Sequence, residues 1–372
     1  MSKLIKIFDL NSQYKLIKKQ IDNSLKKVLL KKNFIMGEEV SKLENILSKK
    51  FQVKHVITCA NGTDALSLAI KSLNLPKNSV IFVPNFSYVA SAEVISSNNL
   101  IPFFVDINFE TFNLCTESLQ KNINLALKRK HKIKAIISVD LFGLPSDHKK
   151  ITKIAKKHNL KYIIDGAQSL GSKLYNKFSC SYGDIYTTSF FPTKTLGCYG
   201  DGGAIFTNNN KIFREIISLK FHGKGKGKNN IIKIGVNSRL DTIQASILIE
   251  KMKIFFNELN KRKAIVNFFY KNIKNKKIIL PKHKSEFQSA FGLFTIKVNN
   301  RKKMINYLNK NHIQSSVYYP KTFIQQPVYK NLKNFYKLNV SKKISKMCLS
   351  IPANAYLKQK EVKHIIKVLN EF

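Results

Sequence analysis

Seven short apolar runs between residues 55 and 206 restrict the fold of this chain more than any other feature of its sequence. Each run has the length of a buried β-strand, and most are separated from the next by a segment that is able to form a helix. This alternation is typical of a largely parallel sheet wrapped by helices, so we predict an α/β fold. The runs are His55–Thr58, Val80–Val83, Pro102–Asp106, Ala135–Val139, Tyr162–Ile164, Ile185–Thr188 and Gly203–Phe206.

Helical patterns flank the strand-like runs on both sides. Apolar residues recur at helical spacing in segments 14–30 and 37–47 and in a long amphipathic stretch that begins near Leu240. The first two segments predict a helical N-terminal part, because apolar residues three or four apart share one face of a helix. The third predicts a connection from the sheet to a C-terminal unit.

The C-terminal unit carries a mixture of the two patterns. Leu293–Val298 is similar to a strand, and Val362–Leu369 is similar to a helix. A mixture of this kind indicates an α+β domain. We therefore predict a large domain with its N-terminal helical segment over residues 1–250 and a small C-terminal α+β domain over residues 251–372.

The formal net charge of +43 requires that nucleic-acid binding be considered. Lysines are spread along the whole chain, and arginine, which best forms bidentate contacts to phosphates and bases, is rare. We interpret the charge as a solvated surface that attracts an anionic substrate, with a basic nucleic-acid-associated protein as the remote alternative. The arginines are Arg129, Arg214, Arg239, Arg262 and Arg301.

Other features of the composition bear on compartment and metals. No apolar run reaches the roughly 18 residues of a membrane helix, and the first residues lack the apolar segment of a secretory signal. We therefore expect a cytoplasmic protein that is not held in a membrane. The cysteines include no Cys-x-x-Cys pair, which predicts neither a disulfide framework nor a metal site. They are Cys59, Cys115, Cys180, Cys198 and Cys348.

A lysine and an aspartate indicate the chemistry. Lys194 lies in a loop rich in aromatic residues and glycine, where desolvation favours the neutral amine that can condense with a carbonyl. Asp165 follows the apolar run that ends at Ile164, and a carboxylate there can pair with a protonated pyridine nitrogen. Together they are what a pyridoxal phosphate (PLP) enzyme needs, although Asp165 could instead be the N-cap of a helix.

A phosphate site is predicted where one of the strand-like runs ends. Asn61, Gly62 and Thr63 follow the run at residues 55–58 and open a helical segment. Free backbone N–H groups at a helix start bind anions, and Gly62 permits close approach of the ligand. An ordinary N-cap without a ligand is the alternative interpretation.

One low-complexity segment alternates glycine and lysine between Lys224 and Lys228. It lacks the order of residues that defines a P-loop. A surface loop and a loop beside the diphosphate of a substrate are both compatible with its sequence.

Four motifs, in this order along the chain, resemble those of the sugar aminotransferases of the DegT/DnrJ/EryC1/StrS family. They are Asn61–Leu66, the Asp-x-x-Gln of residues 165–168, the run Ser189–Gly203 around Lys194, and Gly235–Thr242. The resemblance covers nearly the whole chain. It implies a fold-type I PLP enzyme that aminates a keto group on a nucleotide-linked sugar.

The resemblance also implies a role for each matched residue. Lys194 would form the Schiff base with PLP, and its presence favours transamination because dehydrating members carry histidine there. Tyr88 would stack on the cofactor ring, with a plain core tyrosine as the alternative. The other cofactor contacts would be Asp165 to the pyridinium, Gln168 to the phenolic oxygen, and Gly62, Thr63 and Ser189 to the phosphate. Gly166 replaces a more frequent alanine, which we interpret as an exchange of small residues.

Two further residues would act across a homodimer interface. By the resemblance, Asn237 and Arg239 reach the active site of the neighbouring subunit, where Asn237 would contact the cofactor phosphate. An arginine in so lysine-rich a chain indicates that a two-pronged donor is required, so we expect Arg239 to bind a substrate carboxylate. A structural salt bridge is the alternative for Arg239.

Within the family, the chain is most similar to enzymes that aminate UDP-2-acetamido-3-oxo-glucuronate for bacterial surface polysaccharides such as the lipopolysaccharide O-antigen. The donor would be L-glutamate, which leaves as 2-oxoglutarate. Those relatives carry His-Tyr-Pro near the sugar, whereas this chain has Tyr318, Tyr319 and Pro320. Amination at another sugar carbon, or of a dTDP-linked sugar, is the alternative.

Overall fold

The computed structural model describes residues 4–227 and 229–372. The helices of these residues are α1 (Leu10–Lys31), α2 (Glu38–Phe51), α3 (Gly62–Ser72), α4 (Ala90–Ser97), α5 (Thr116–Lys128), α6 (His148–Lys157), α7 (Asn210–Leu219), α8 (Thr242–Met252), α9 (Phe255–Asn272), α10 (Arg301–Lys310), α11 (Asn339–Met347) and α12 (Gln359–Glu371). The strands are β1 (His55–Cys59), β2 (Val80–Pro84), β3 (Ile101–Val105), β4 (Ile133–Val139), β5 (Lys161–Asp165), β6 (Lys173–Leu174), β7 (Lys177–Phe178), β8 (Ile185–Ser189), β9 (Gly203–Thr207), β10 (Ile278–Ile279), β11 (Phe287–Gln288), β12 (Phe294–Val298) and β13 (Cys348–Ile351).

A central sheet of seven strands has the order β1-β9-β8-β5-β4-β2-β3. Strands β3, β2, β4, β5 and β8 run parallel, whereas β9 is antiparallel to both of its neighbours, β8 and β1. Each of the seven strand-like runs of the sequence coincides with one strand of this sheet. The predicted α/β fold with a largely parallel sheet is therefore confirmed.

Alternate residues of the central strands enter two separate apolar layers, because successive side chains of a strand point to opposite faces of a sheet. Phe82, Ile164 and Phe206 belong to the layer beneath α2, α5, α6 and α8. Ile81 and Ile163 belong to the layer beneath α3, α4 and α7. Helices thus cover both faces of the sheet, which leaves the strand ends and the loops after them as the place for a ligand.

The C-terminal part of the chain forms a second, antiparallel sheet of the strands β10, β12 and β13. Phe269 of α9, Ile296 of β12 and Ile365 of α12 pack in one apolar cluster on it, and Ile5 near the N-terminus joins them. This part is α+β, as its sequence pattern indicates. The domain boundary at residue 250 stays a prediction.

The amphipathic stretch near Leu240 forms two helices, α8 and α9. The backbone departs from helical geometry at Ile254, with φ −104° and ψ −6°. The N–H of Lys253 donates to the carbonyl of Glu250 at 3.2 Å, which closes a tight turn at the end of α8. The turn directs Phe255 against Phe51 of α2, with 6.1 Å between the ring centroids. The break between α8 and α9 therefore comes with aromatic packing between α9 and α2. The apolar spacing of the sequence does not reveal this break.

The structure also bears on membranes, disulfides and metals. None of the helices in the described ranges is both long and apolar enough to cross a membrane. All five cysteines are free, and all but Cys115 are buried. Within residues 4–227 and 229–372, no three His, Cys, Asp or Glu side chains gather as metal ligands would.

Candidate active site

A cavity of about 470 Å³ lies where the parallel strands β2, β5 and β8 reach their carboxyl ends. Open α/β sheets bind their ligands outside this edge, because the loops that leave parallel strands converge there. The cavity brings together the predicted site residues Gly62, Thr63, Tyr88, Asp165, Gln168, Ser189, Lys194, Tyr318 and Tyr319. It does not include Asn237 or Arg239.

The N-terminus of α3 forms one end of the cavity. The Asn61 side chain caps this helix by accepting a hydrogen bond from the Asp64 N–H at 2.8 Å. The N–H groups of Gly62 and Thr63 have no acceptor among the described residues, and free amides at a helix start favour an anion. A β-carbon on Gly62 would lie 2.8 Å from that of Ser189, so the glycine is required for this close approach. The Asn61 cap therefore leaves two N–H groups available, as the predicted phosphate site requires.

Asp165 is a buried acid, and only one of its carboxylate oxygens accepts a hydrogen bond from the described residues. It ends β5 and is 5% exposed. Burial raises its pKa to about 6, while a hydrogen bond from the Ala167 N–H at 3.1 Å and the charge of Lys194 act in the opposite direction. The second carboxylate oxygen accepts no hydrogen bond from the described residues, and no helix begins at this position. The helix N-cap interpretation is therefore wrong, and the free oxygen suits a protonated ring nitrogen.

Lys194 is half-buried in the loop that leaves β8. Its N–H donates to the Phe191 carbonyl at 2.9 Å, which folds the loop into a turn. Burial lowers the pKa of its ammonium, and the charge of Asp165 partly opposes this shift. An amine of lowered pKa, on the wall of a cavity, is suited to condense with a carbonyl.

Tyr88, Tyr319 and the side-chain amide of Gln168 also border the cavity. The Gln168 amide donates to the Tyr319 hydroxyl at 3.2 Å, and its oxygen accepts from the Phe142 N–H at 2.7 Å. The Tyr88 ring lies 6.2 Å from that of Tyr319 and is 57% exposed, so it is not a core tyrosine. Burial raises the pKa of Tyr319, whose hydroxyl stays neutral. The exposed face of Tyr88 is available to a planar ring.

Position 166 has no room for the alanine that is more frequent in relatives. A β-carbon at this position would lie 2.0 Å from the ring of Tyr186. Tyr186 is buried, and its hydroxyl donates to the Gly166 carbonyl at 3.2 Å and contacts the Ser169 hydroxyl at the same distance. The large side chain fills the space that an alanine methyl would need. Our interpretation of this replacement as neutral is therefore wrong, because it considers Gly166 without its neighbour.

Gly166→Ala is accordingly expected to destabilise the protein by about 1–3 kcal/mol, the usual cost of overpacking a core. Urea unfolding of the cofactor-free enzyme measures this change. In the double variant Gly166→Ala/Tyr186→Leu, the smaller side chain at position 186 relieves the clash. The double variant should therefore lose less free energy of unfolding than the two single variants lose together. A single variant as stable as the wild type would contradict the steric explanation.

Asn237 and Arg239 lie outside the cavity of their own chain. Asn237 is exposed, and its backbone pairs with Phe221. Arg239 is half-buried and forms no ion pair with the described residues, so a salt bridge within the chain does not explain it. Between them, the Ser238 hydroxyl accepts from the Ala60 N–H at 3.1 Å. This contact fixes the segment beside the loop that carries Gly62.

The described part of the glycine and lysine alternation, residues 224–227, lies in a surface loop. Lys224 pairs with Ile231, and the Gly223 N–H donates to the Ser218 carbonyl at 2.9 Å. Lys228 lies outside the described residues. Proximity to a substrate diphosphate stays a prediction.

Several lining residues are absent from the sequence prediction. Ser87 is buried with its hydroxyl unpaired, and it directly precedes Tyr88, so its position in the motif could have indicated it. Phe8 comes from the segment before α1, and Gly292 and Leu293 come from the segment before β12. No local pattern marks these three residues, because tertiary packing alone brings them to the cavity.

The sequence matches the DegT/DnrJ/EryC1/StrS aminotransferase family over residues 15–370. The chain belongs to this family. It is 36% identical over 366 residues to a UDP-2-acetamido-2-deoxy-3-oxo-D-glucuronate aminotransferase of Pseudomonas aeruginosa, covering 98% of this chain and 99% of that protein. A DegT DnrJ EryC1 StrS aminotransferase from Brucella abortus superposes with a TM-score of 0.96 and 36% identity over 99% of each chain. The Bacillus subtilis protein ntda, solved with bound cofactor PMP, superposes with a TM-score of 0.90 and 27% identity over 100% of this chain and 85% of that one.

These likenesses confirm the family, the enzyme class and the PLP cofactor that the motifs imply. The chain is a PLP-dependent aminotransferase, and its cavity fits the cofactor. Free amides at Gly62 and Thr63 suit a phosphate, the free oxygen of Asp165 suits a pyridinium, and the amine of Lys194 suits a carbonyl. The role of each residue toward the cofactor remains a prediction.

Proposed function

We propose that this aminotransferase converts UDP-2-acetamido-3-oxo-glucuronate to its amino sugar, with L-glutamate as donor and 2-oxoglutarate as the other product. The likeness to the P. aeruginosa enzyme over nearly the full length of both chains carries the proposal. The positive charge of the protein supports it, because a nucleotide-linked uronate is strongly anionic. We assign the enzyme to the cytoplasm and its product to surface polysaccharides such as the lipopolysaccharide O-antigen.

Each part of the cavity has a task in this reaction. PLP, when bound, supplies a carbonyl for the amino group and a ring that accepts electron density from the substrate carbon. Lys194 would hold the cofactor through its side-chain amine, and the same amine, when free, would move a proton at the substrate carbon. Asp165 keeps the ring nitrogen protonated. Because the donor and the sugar would occupy the same cavity in turn, the kinetics should be ping-pong.

The remaining residues orient the cofactor and the sugar. Tyr88 supports the face of the ring, and Gln168 donates to the phenolic oxygen. Tyr319 fixes the Gln168 amide through the bond at 3.2 Å. Tyr318 and Tyr319 border the cavity at the place where we expect the sugar, and the Tyr318 hydroxyl would replace the donor that a histidine supplies in the relatives. The phosphate contacts are Gly62, Thr63 and Ser189.

We further propose that two copies of the chain form a homodimer with shared active sites. Phe34, Ile35 and Met36 are each more than 40% exposed, which is unusual for adjacent large apolar residues. Ile35 pairs with Asp241, two residues after Arg239, so this apolar surface is continuous with the segment that we expect to cross the interface. A second copy would cover the apolar surface and receive Asn237 and Arg239.

Subunit mixing tests the shared site. Lys194→Ala and Asn237→Ala should each be inactive as homodimers. In a mixed dimer, one of the two sites combines an intact Lys194 with an intact Asn237 from the other chain, so partial activity should return. Labelled subunits verify that exchange takes place. Exchange without recovery would show that both residues serve the site of a single chain.

A panel of keto nucleotide-sugars tests the substrate. The purified enzyme is incubated with L-glutamate and UDP- or dTDP-linked sugars that carry the keto group at carbon 3 or carbon 4, and products are identified by mass spectrometry. The proposal predicts one new amino group on UDP-2-acetamido-3-oxo-glucuronate. Preferential amination of a 4-keto or dTDP-linked sugar would favour the alternative within the family. Strong, salt-dependent DNA binding without any amination would favour the nucleic-acid alternative.

A further inference from the structure

Lys251 is a buried lysine that the reaction itself does not use. It lies on α8, is 2% exposed, and its Nζ donates to the Gly197 carbonyl at 2.7 Å. No carboxylate lies within ion-pair distance of its ammonium in the described part of the chain. Burial lowers its pKa to about 8, with Cys198 and Glu258 opposing the shift. Burying an ammonium without an ionic partner is costly, so the bond to Gly197 is expected to have a role.

Gly197 belongs to the loop that presents Lys194. The Lys194 N–H donates to the Phe191 carbonyl at 2.9 Å, and the Cys198 N–H donates to the Phe190 carbonyl at 2.7 Å. A β-carbon on Gly197 would lie 2.5 Å from the Pro192 carbonyl oxygen, so the two limbs of the loop are in close contact. A force on the Gly197 carbonyl is therefore transmitted to the backbone of Lys194.

A second contact from α8 holds the same loop. Gln244 is seven residues before Lys251 and therefore on the same face of the helix. Its side-chain oxygen accepts from the Tyr199 N–H at 2.9 Å. The Lys251 ammonium also stands 4.1 Å from the centroid of the Tyr199 ring. Helix α8 thus holds the loop at Gly197 and at Tyr199, outside the cavity.

We propose that Lys251 is a positioning residue that fixes the loop of Lys194 and so orients the Lys194 amine toward the cofactor carbonyl. The inference rests on the proposed role of Lys194 as the lysine that binds PLP. It assigns Lys251 no contact with cofactor or substrate. Loss of the bond should leave the cofactor pocket intact but misplace the amine, and a displacement of about 1 Å can cost roughly 100-fold in rate.

Covalent attachment of PLP to the cofactor-free enzyme tests the inference. The variants are Lys251→Met, which keeps the bulk without the donor, and Lys253→Met, an exposed control in the turn directly after the same helix. We expect Lys251→Met to attach PLP on the order of 10- to 100-fold more slowly than the wild type, followed by visible absorbance and borohydride trapping. The absorbance of its adduct should also titrate at a different pH, whereas Lys253→Met should match the wild type in both.

Folding is verified separately by thermal unfolding of each cofactor-free variant. If Lys251→Met does not fold, Lys251→Gln replaces it. The glutamine side chain is polar but one bond shorter than that of lysine, so its amide does not reach the Gly197 carbonyl. The inference would be overturned if a folded Lys251→Met or Lys251→Gln enzyme attached PLP at the wild-type rate and its adduct titrated at the wild-type pH. A fall in thermal stability alone would not rescue it. Equal slowing in Lys253→Met would overturn it as well. Peptide mapping of the trapped cofactor separates the two hypotheses. Cofactor on a lysine other than Lys194 would contradict the proposed function, whereas cofactor on Lys194 at the wild-type rate would contradict only the role of Lys251.

Discussion

Lys194→Ala is expected to reduce turnover by on the order of 10⁴-fold or more. The substitution removes both the amine that holds the cofactor and the group that moves the proton, and general acid–base catalysis alone contributes about 10²–10⁴-fold. The variant should still bind PLP through the phosphate and ring contacts, but without a covalent bond. Steady-state assays and the absorbance of the bound cofactor check both statements.

The matched control for this variant is Lys150→Ala. Lys150 lies on α6 and is largely exposed, with Asp147 as its only ion-pair partner in the described ranges. A surface pair of this kind contributes little, so the control should have wild-type activity. A Lys194→Ala enzyme that still aminates a keto sugar at a comparable rate would refute the assignment of this lysine.

Asp165→Asn is expected to weaken PLP binding while it stabilises the cofactor-free protein. A charged hydrogen bond to the ring nitrogen contributes about 1.5–3 kcal/mol, so affinity should fall roughly 10- to 100-fold. Turnover should fall by on the order of 10²–10³-fold, because a neutral amide no longer keeps the ring nitrogen protonated. Fluorescence titration with PLP and steady-state assays measure the two losses. Near-normal turnover would contradict the proposed role.

The gain in stability follows from the sign of the pKa shift. Burial raises the pKa of Asp165 to about 6 from the ordinary value of 3.8, so between these pH values the folded state binds more protons than the unfolded state. The contribution of Asp165 to the stability of the cofactor-free wild type should therefore fall as pH rises from about 4 to 6. The full cost is present above pH 7 and amounts to about 3 kcal/mol.

Urea unfolding of the cofactor-free forms at pH 4.5 and pH 8 measures this effect. Asp165→Asn does not titrate, so its excess in stability over the wild type should be largest at pH 8 and much smaller at pH 4.5. Asp22→Asn serves as the control, because Asp22 is on the surface of α1 and its pKa is lowered by the pair with Lys18. Equal stability of Asp165→Asn and wild type at both pH values would show that the acid is not buried at a cost.

The sequence predicts the central sheet and most of the cavity because both depend on local patterns. The strands bury largely apolar runs, and most of the predicted site residues lie within a few positions of the carboxyl ends of β1, β2, β5 and β8, as Asp165 ends β5. Contacts between distant residues leave no such pattern. Tyr186 makes Gly166 necessary from 20 positions away, and Lys251 holds Gly197 from 54 positions away.

Packing also decides features that periodicity cannot. The apolar spacing continues through Ile254, yet the chain breaks there and Phe255 packs against Phe51. Phe8 reaches the cavity because Ile5 pairs with Ile313 of the C-terminal part. Asn237 and Arg239 have no partner in the cavity of their own chain, so their role depends on the proposed second copy. These features depend on tertiary or quaternary contacts, which apolar spacing does not encode.

Borohydride reduction of the PLP-loaded enzyme, followed by proteolysis and mass spectrometry, tests the central claim most directly. The reduction makes the bond between lysine and cofactor permanent, so the site of attachment can be identified among the many lysines of the chain. The account predicts one pyridoxyl group per chain, on Lys194, and none on this peptide after prior incubation with L-glutamate, because the donor displaces the lysine. A pyridoxyl group on any other lysine would contradict the account.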